Sequence, residues 1–363
     1  YIGTDQLVLK DLDLIIPSNK ITAIVGTSGS GKTTLISKLL LHPDMRRVAV
    51  VINEMGEIGI DHDLVTVSSE NITLLANGCI CCSVRTDLQE TLRDLFAQRR
   101  VGEVFDFDRV IVETTGLADP APVVQTLASD TLLAAHYRLD GLITLVDGLH
   151  GVGQIDQQTE AVKQIAIADK ILVTKTDLTS ADHLETLCGR IRQLNSQSPI
   201  EFIRQGEVDP KSLIDLGLSS SRASLKTLQF LGEALNDVAA ADVNGTGRYL
   251  GQRSATHNSA VKTLSLRFTE PFEWLSFSSA LELLTTLRGP DLLRLKGIIN
   301  VDGDPVVIQG VQHIIDTPVK MDRWPSDDKD SRLVFIVRNM ELDVIRNLFQ
   351  AVGAIKSAPL SAT

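Results

Sequence analysis

The chain has 363 residues, enough for two or three domains that each bury a core. Hydrophobic residues make up 43% and charged residues 22%, which excludes wholesale disorder. Lys+Arg 35 against Asp+Glu 46 leaves a formal net charge of −11, which argues against bulk attraction to nucleic acid or an anionic membrane.

No apolar run approaches the ~18 residues of a transmembrane helix. The opening Tyr1-Ile2-Gly3-Thr4-Asp5 lacks the form of a signal peptide and lacks an initiator Met, as a fragment or processed chain would. Three of the four cysteines, Cys79, Cys81 and Cys82, fall within four positions. That clustering reads as a reduced metal-binding or redox group in a cytoplasmic protein, not as a secreted disulfide framework.

In chain order, residues 21–25 form a short β-branched run, followed by Gly26-Thr27-Ser28-Gly29-Ser30-Gly31-Lys32-Thr33 and a helix-like stretch at 34–41. This fits G-x-x-x-x-G-K-[ST] in the strand–loop–helix setting the motif requires. Gly26, Gly29, Ser30, Gly31, Thr33 and Thr34 would wrap backbone N–H groups around phosphate at a helix N-terminus. Lys32 would neutralise β/γ oxygens, and the Thr33 hydroxyl would ligate Mg²⁺.

A second apolar run covers 48–52 and leads into an acid-rich segment at 54–63. Asn77-Gly78-Cys79-Ile80-Cys81-Cys82 comes next, read as a loop before a helix at 87–100. Thiolates near a helix N-terminus ionise readily, which suits metal ligation. Zn²⁺ or Co²⁺ would need further ligands, for which Glu54, Glu57, Asp61 and His62 are near in sequence. Buried structural cysteines and a redox pair remain open from the residues alone, and the isolated Cys188 reads as core.

The run at 110–112 ends in Glu113, with Gly116 three residues on. The acid could hold Mg²⁺ through water or position an attacking water. Gly116 could donate its N–H to a γ-phosphate, which makes this loop a candidate nucleotide switch. After runs at 142–146 and 171–173, Thr174-Lys175-Thr176-Asp177 stands where guanine-nucleotide proteins carry [NT]-K-x-D. There the Asp carboxylate accepts from guanine N1–H and N2–H₂ while the Lys stem covers the ring, and adenine lacks that donor pair. A further helix-like stretch covers 160–169.

Repeated strand–helix alternation predicts a doubly wound α/β domain with a mostly parallel sheet over 21–238. Residues 1–20 read as an N-terminal extension and 239–260, with few apolar residues, as a linker. Residues 261–355 read as a smaller α+β domain. Its strands are expected near 264–268, 297–301, 305–309 and 331–338, with helices at 273–288 and 341–352. Phe272, Trp274 and Phe277 are expected in its core, and His313 in a structural place that could face the interface between domains. Residues 356–363 form a tail.

In order along the chain, GTSGSGKTT, VVINEMGEIGIDHDLV, NGCICC, VIVETTGLADPAPV, TLVDG and VTKTDL resemble the CobW-like metallochaperone GTPases, relatives of UreG and HypB. LLRLKGIINVDGDPVVIQGVQH and RLVFIVR resemble that family's C-terminal domain. The resemblance implies a GTPase that uses GTP and Mg²⁺ and binds Zn²⁺ or Co²⁺ at the C-x-C-C motif. Cys79, Cys81 and Cys82 would be ligands, with Glu54 and Glu57 in the switch. It further implies release of metal to a client metalloprotein or a cobalamin-pathway enzyme, and allows a nucleotide-dependent homodimer.

Two departures matter. The family usually carries G-F-L-G-[AS]-G-K-T-T, whereas this loop is GTSGSGKTT. Residues 1–32, including Val8-Leu9-Lys10-Asp11-Leu12-Asp13-Leu14-Ile15-Ile16-Pro17, resemble the opening of an ABC-transporter ATPase, with Tyr1 where adenine would stack. No L-S-G-G-Q signature follows. A transport ATPase and a P-loop small-molecule kinase are therefore the alternatives to the GTPase.

Overall fold

The computed structural model describes residues 19–42, 47–53, 65–68, 72–75, 80–83, 88–116, 119–214, 216, 261–325 and 327–354. Residues 1–18 of the N-terminal extension, the expected linker, the tail, and Glu54, Glu57, Asp61, His62 and Cys79 lie outside these residues, whereas Asn19 and Lys20, expected in the extension, open the first strand.

The first domain is built from β1 (Asn19–Gly26), α1 (Lys32–Leu41), β2 (Val48–Asn53), β3 (Val65–Ser68), β4 (Ile72–Leu75) and β5 (Ile80–Ser83). Then come α2 (Leu88–Val101), β6 (Arg109–Thr114), α3 (Ala121–Ser129), α4 (Thr131–His136) and β7 (Tyr137–Asp147). The remainder is α5 (Gly151–Gln157), α6 (Thr159–Ile167), β8 (Lys170–Thr174), α7 (Ala181–Leu194) and β9 (Ile200–Phe202). The described strands form one sheet in the order β3-β4-β5-β2-β6-β1-β7-β8-β9. From β5 to β9 every neighbouring pair is parallel, and β3 and β4 add an antiparallel edge.

The apolar runs are strands because both faces are covered, so period-2 alternation gives way to continuous hydrophobicity. Ala23, Val51, Val110 and Val112 share a core with Leu92, Leu95 and Phe96 of α2 and Val123, Val124 and Leu127 of α3. Ile24, Val50, Ile52 and Ile111 meet Leu35, Ile36, Leu39 and Leu40 of α1 on the other face. The sheet is thus doubly wound, and the C-terminal tips of β2, β6, β1, β7 and β8 share one edge.

Several elements differ from their sequence signals. Cys81 and Cys82 lie on strand β5, paired in parallel with Val50 and Val51 of β2, and not on the expected loop. The ladder supplies backbone partners on both sides, from β2 and β4. Strand β7 runs eleven residues, well beyond the apolar run at 142–146. Helix α6 stops at Ile167, two residues short of the expected end.

The C-terminal domain contains β10 (Val261–Phe268), α8 (Trp274–Arg288), β11 (Leu292–Val301), β12 (Asp304–Val311), β13 (Ile314–Ile315), β14 (Val319–Lys320), β15 (Ser331–Arg338) and α9 (Leu342–Ala354). Its described strands pair antiparallel in the order β10-β15-β11-β12-β13, with β14 on β12. Helices α8 and α9 cover one face around Phe272, Phe277, Phe335 and Phe349. Trp274 is not core as expected. It opens α8, where the first turn faces solvent, and is 39% exposed. His313 is exposed on the turn between β12 and β13, packed on Gly289 of the same domain.

The opposite face of this sheet meets the first domain. Leu293, Val311 and Ile336 enter the same core as Val123, Leu127 and Ile167. The buried Asp169 carboxylate, just after α6, receives Arg294 Nη2 at 2.6 Å and pairs also with Lys296.

Candidate nucleotide site

The loop between β1 and α1 forms a concave backbone turn. Gly26, Gly29 and Gly31 all have positive φ, the region that favours glycine. Gly26 also has no room for a side chain, since a Cβ would lie 2.6 Å from the Leu145 carbonyl oxygen. Helix α1 begins without a side-chain cap and without an acid in its first turn, so its leading N–H groups remain available to an anion. Ser30 is fully buried, and its Oγ lacks a hydrogen-bond partner among the described residues. Lys32 is buried and donates from Nζ to the Gly26 carbonyl at 3.1 Å, across the mouth of the loop. These groups fit a phosphate chain.

Three neighbouring strand tips complete the edge. Glu113, at the end of β6, is 1% exposed, and its Oε1 lies 3.5 Å from Thr33 Oγ1. A threonine hydroxyl and a carboxylate are hard oxygen donors of the kind Mg²⁺ prefers. Gly116 abuts the phosphate loop so closely that a Cβ would fall on the Ser28 amide nitrogen and 2.8 Å from Ser28 Cα. Thr174, at the end of β8, donates from Oγ1 to the Ser30 carbonyl at 2.8 Å, tying the T-K-x-D segment to the phosphate loop.

Lys175 sits in the left-handed region at φ 53° and donates to Asp147 Oδ2 at 2.6 Å. Asp147 Oδ1 accepts from Leu149 N and His150 N. Burial opposes ionisation of Asp147. Lys175 and the two amides outweigh it, holding the carboxyl below its ordinary range. Asp177 is exposed on a short 3-10 turn, Thr176–Leu178. Thr34 lies at the start of α1 against Gly206, where a Cβ would come within 2.9 Å of the Thr34 carbonyl oxygen.

The structure therefore brings together Gly26, Gly29, Ser30, Gly31, Lys32, Thr33, Thr34, Glu113, Gly116, Thr174 and Lys175 along one edge, with Asp177 at its end. Three contributors were missed from sequence. Asp147 orients Lys175. Gln154 accepts from Thr27 Oγ1 at 2.9 Å, and Gln164 donates from Nε2 to the Gly116 carbonyl at 3.2 Å. Asp147 had a readable signal, an acid directly after the fourth apolar run and before a glycine. The two glutamines had none, because they lie on helices distant in sequence. Among the described residues no group of three or more His, Cys, Asp or Glu could hold a metal ion.

Residues 20–202 match the family description "CobW/HypB/UreG, nucleotide-binding domain", and residues 261–353 match "Cobalamin synthesis protein cobW C-terminal domain". The chain belongs to the CobW/HypB/UreG family. It is a P-loop GTPase of that family, and the match spans the phosphate loop that the transporter resemblance shared. The zinc chaperone YjiA of Escherichia coli is 32% identical over 91% of this chain and 97% of its own. The zinc-regulated GTPase metalloprotein activator 1 of Saccharomyces cerevisiae is 27% identical over 91% of this chain and 82% of its own. The crystal structure of Zn(II)-bound YjiA GTPase from E. coli superposes with a TM-score of 0.71 at 28% identity, covering 92% of this chain and 98% of that one. This CobW-family chain pairs a nucleotide domain with a small antiparallel-sheet domain. No described helix is long and apolar enough to cross a membrane.

Proposed function

We propose that this chain is a GTP-hydrolysing metallochaperone that carries Zn²⁺ and hands it to a client metalloprotein. The observation that carries the reading is the convergence of the buried Lys32, the Thr33–Glu113 pair and the Lys175–Asp147 pair on one sheet edge. Lys32 and the loop amides would hold the β- and γ-phosphates. Thr33 and Glu113 would hold Mg²⁺, which supplies charge neutralisation on the transferring phosphoryl group. Gly116 would meet the γ-phosphate. Lys175 would cover the guanine ring, and Asp177 would accept from its N1–H and N2–H₂.

Zinc is the cargo in this reading. Its proposed ligands are Cys79, Cys81 and Cys82, with Glu54 and Glu57 in the adjoining switch. Topology supports this, because β5 pairs with β2, the strand that leads into residues 54–57. The zinc-chaperone names of the similar proteins support zinc as the cargo. Co²⁺ would suit the same ligand set, and a cobalamin-pathway enzyme is a second kind of client. A nucleotide-dependent homodimer and a cytoplasmic site of action are part of the same proposal.

The test is Zn²⁺ affinity by competition with a chromogenic chelator in Mg²⁺·GTP, Mg²⁺·GDP and Mg²⁺·ATP. Tighter binding with GTP alone is the expected result. Equal binding in all three would remove nucleotide gating of the metal, and tightening with ATP would revive the transporter-like alternative.

A further inference from the structure

Helix α6 touches the nucleotide edge through its side chains and the C-terminal domain through its end. Gln164, 1% exposed, donates to the Gly116 carbonyl at 3.2 Å. Its neighbour Lys163 donates to Asp119 Oδ2 at 2.9 Å, in the same segment after β6. Two residues beyond the end of α6, Asp169 binds Arg294 and Lys296 of β11. Its other oxygen accepts from Leu142 N at 2.8 Å.

The helix between these contacts is held fast. Thr144 Oγ1 donates to the Gln164 carbonyl at 2.7 Å. The buried Asn195 amide donates to the carbonyls of Ile165, Ala166 and Ala168, satisfying the carbonyls at the helix C-terminus. Ile167 packs in one core with Leu293 and Ile336 of the second sheet. Nine residues at ~1.5 Å rise make a rod of about 13 Å, too short to bend.

We propose that α6 is a relay between the nucleotide and the C-terminal domain, with Gln164 the positioning residue that holds Gly116 against the phosphate loop. The proposal rests on the reading of this edge as a GTP-hydrolysing site. Gly116 is pressed on Ser28, so a γ-phosphate that shifts Gly116 must either break the Gln164 bond or move α6. Moving α6 carries Asp169 with it, and Arg294 and Lys296 follow. The link is a packed, hydrogen-bonded element, which is the physical requirement for coupling two sites.

The test uses the full chain with Gln164→Met, which keeps the volume and loses the donor. GTP turnover and GDP affinity are measured first. Hydrogen exchange of β11 is then compared between the GDP-bound and non-hydrolysable-GTP-bound forms. Expected for Gln164→Met are a kcat about tenfold lower, GDP affinity within twofold of wild type, and loss of the nucleotide-dependent difference in β11. A purely structural glutamine would instead change GDP affinity and exchange throughout, and would leave the β11 difference in place. That result, or wild-type behaviour on both readouts, overturns the relay. If Gln164→Met does not fold, Lys163→Met on the partly exposed side of α6 is read in the same way. A wild type that turns over no GTP would defeat the functional reading itself, which the first measurement distinguishes.

Discussion

Lys175 Nζ and Asp147 Oδ2 lie 2.6 Å apart and join the tips of β8 and β7. Lys175 occupies the left-handed region, where a non-glycine residue costs on the order of 1 kcal/mol. A charge-assisted hydrogen bond of this kind contributes about as much, so the pair holds a backbone that would otherwise relax. The conformation turns the lysine back onto the tip of β7, where Asp147 receives it.

Asp147→Asn keeps the shape and removes the charge that fixes Lys175. GTP and GDP affinity should both fall, by about tenfold, because guanine is common to the two. Fluorescent-nucleotide titration measures this. Affinities within twofold of wild type would show that Lys175 needs no orienting partner.

Gly116→Ala tests the close approach of the switch segment to the phosphate loop. The new Cβ would fall on the Ser28 amide, and backbone cannot yield as a side chain does. We expect GTP hydrolysis to fall at least about a hundredfold, with a smaller loss in GDP affinity and a lowered melting temperature. A variant with normal turnover would show that Gly116 leaves the loop during the reaction.

Asp169→Asn leaves Arg294 and Lys296 buried at the domain interface without their counter-ion. Breaking a buried pair in this way costs about 3–5 kcal/mol, read from urea unfolding. Replacing all three by Leu, Met and Met should recover most of that. The pH dependence has a definite sign. Burial opposes the Asp169 carboxylate, but Arg294 and Lys296 hold it below its ordinary range. Its stabilisation is therefore present above pH of about 4 and lost as pH falls through the lowered value. A variant whose stability matches wild type at neutral pH would argue against the pair.

Much of the first domain was legible because its signals are local. The phosphate loop is a contiguous motif, and β1, β2, β6 and β8 are apolar runs buried on both faces. Helices α4 and α5 were not legible. The first is six residues capped by Asp130, and the second opens Gly151-Val152-Gly153, so neither shows helical periodicity. Strand β5 escaped because it is only four residues long and its parallel partner β2 lies some way back in the chain, so no apolar run marks it. At the candidate site, residues fixed by motif spacing can be named from sequence, whereas Asp147, Gln154 and Gln164 act across 28 to 127 positions of sequence. Such contacts carry no local pattern.

Glu113→Gln separates a metal or water role from a scaffold role. Glu113 is almost fully buried at the tip of β6, with its Oε1 facing Thr33. The amide keeps the volume but cannot supply a carboxylate to Mg²⁺ or to an attacking water. We expect hydrolysis to fall about 10²–10³-fold while GDP affinity measured without Mg²⁺ stays near wild type. Loss of both together would assign Glu113 to the frame of the sheet.

Asp316→Asn probes the opposite electrostatic sign at the same interface as Asp169. Asp316 accepts from Gln309 Nε2 at 2.5 Å, which an asparagine oxygen can preserve. Burial raises the Asp316 carboxyl above its ordinary range, helped by the Asp169 charge and only partly countered by Arg294 and Gln309. The folded state therefore holds this proton more tightly than the unfolded chain. Stability falls as pH rises from the ordinary carboxylate value to the raised one, and the penalty stays constant above it. The variant should gain about 2–4 °C in melting temperature at pH 7 and nothing near pH 3. A difference that does not change with pH would mean the gain comes from packing, because only the ionised form of Asp316 carries the penalty.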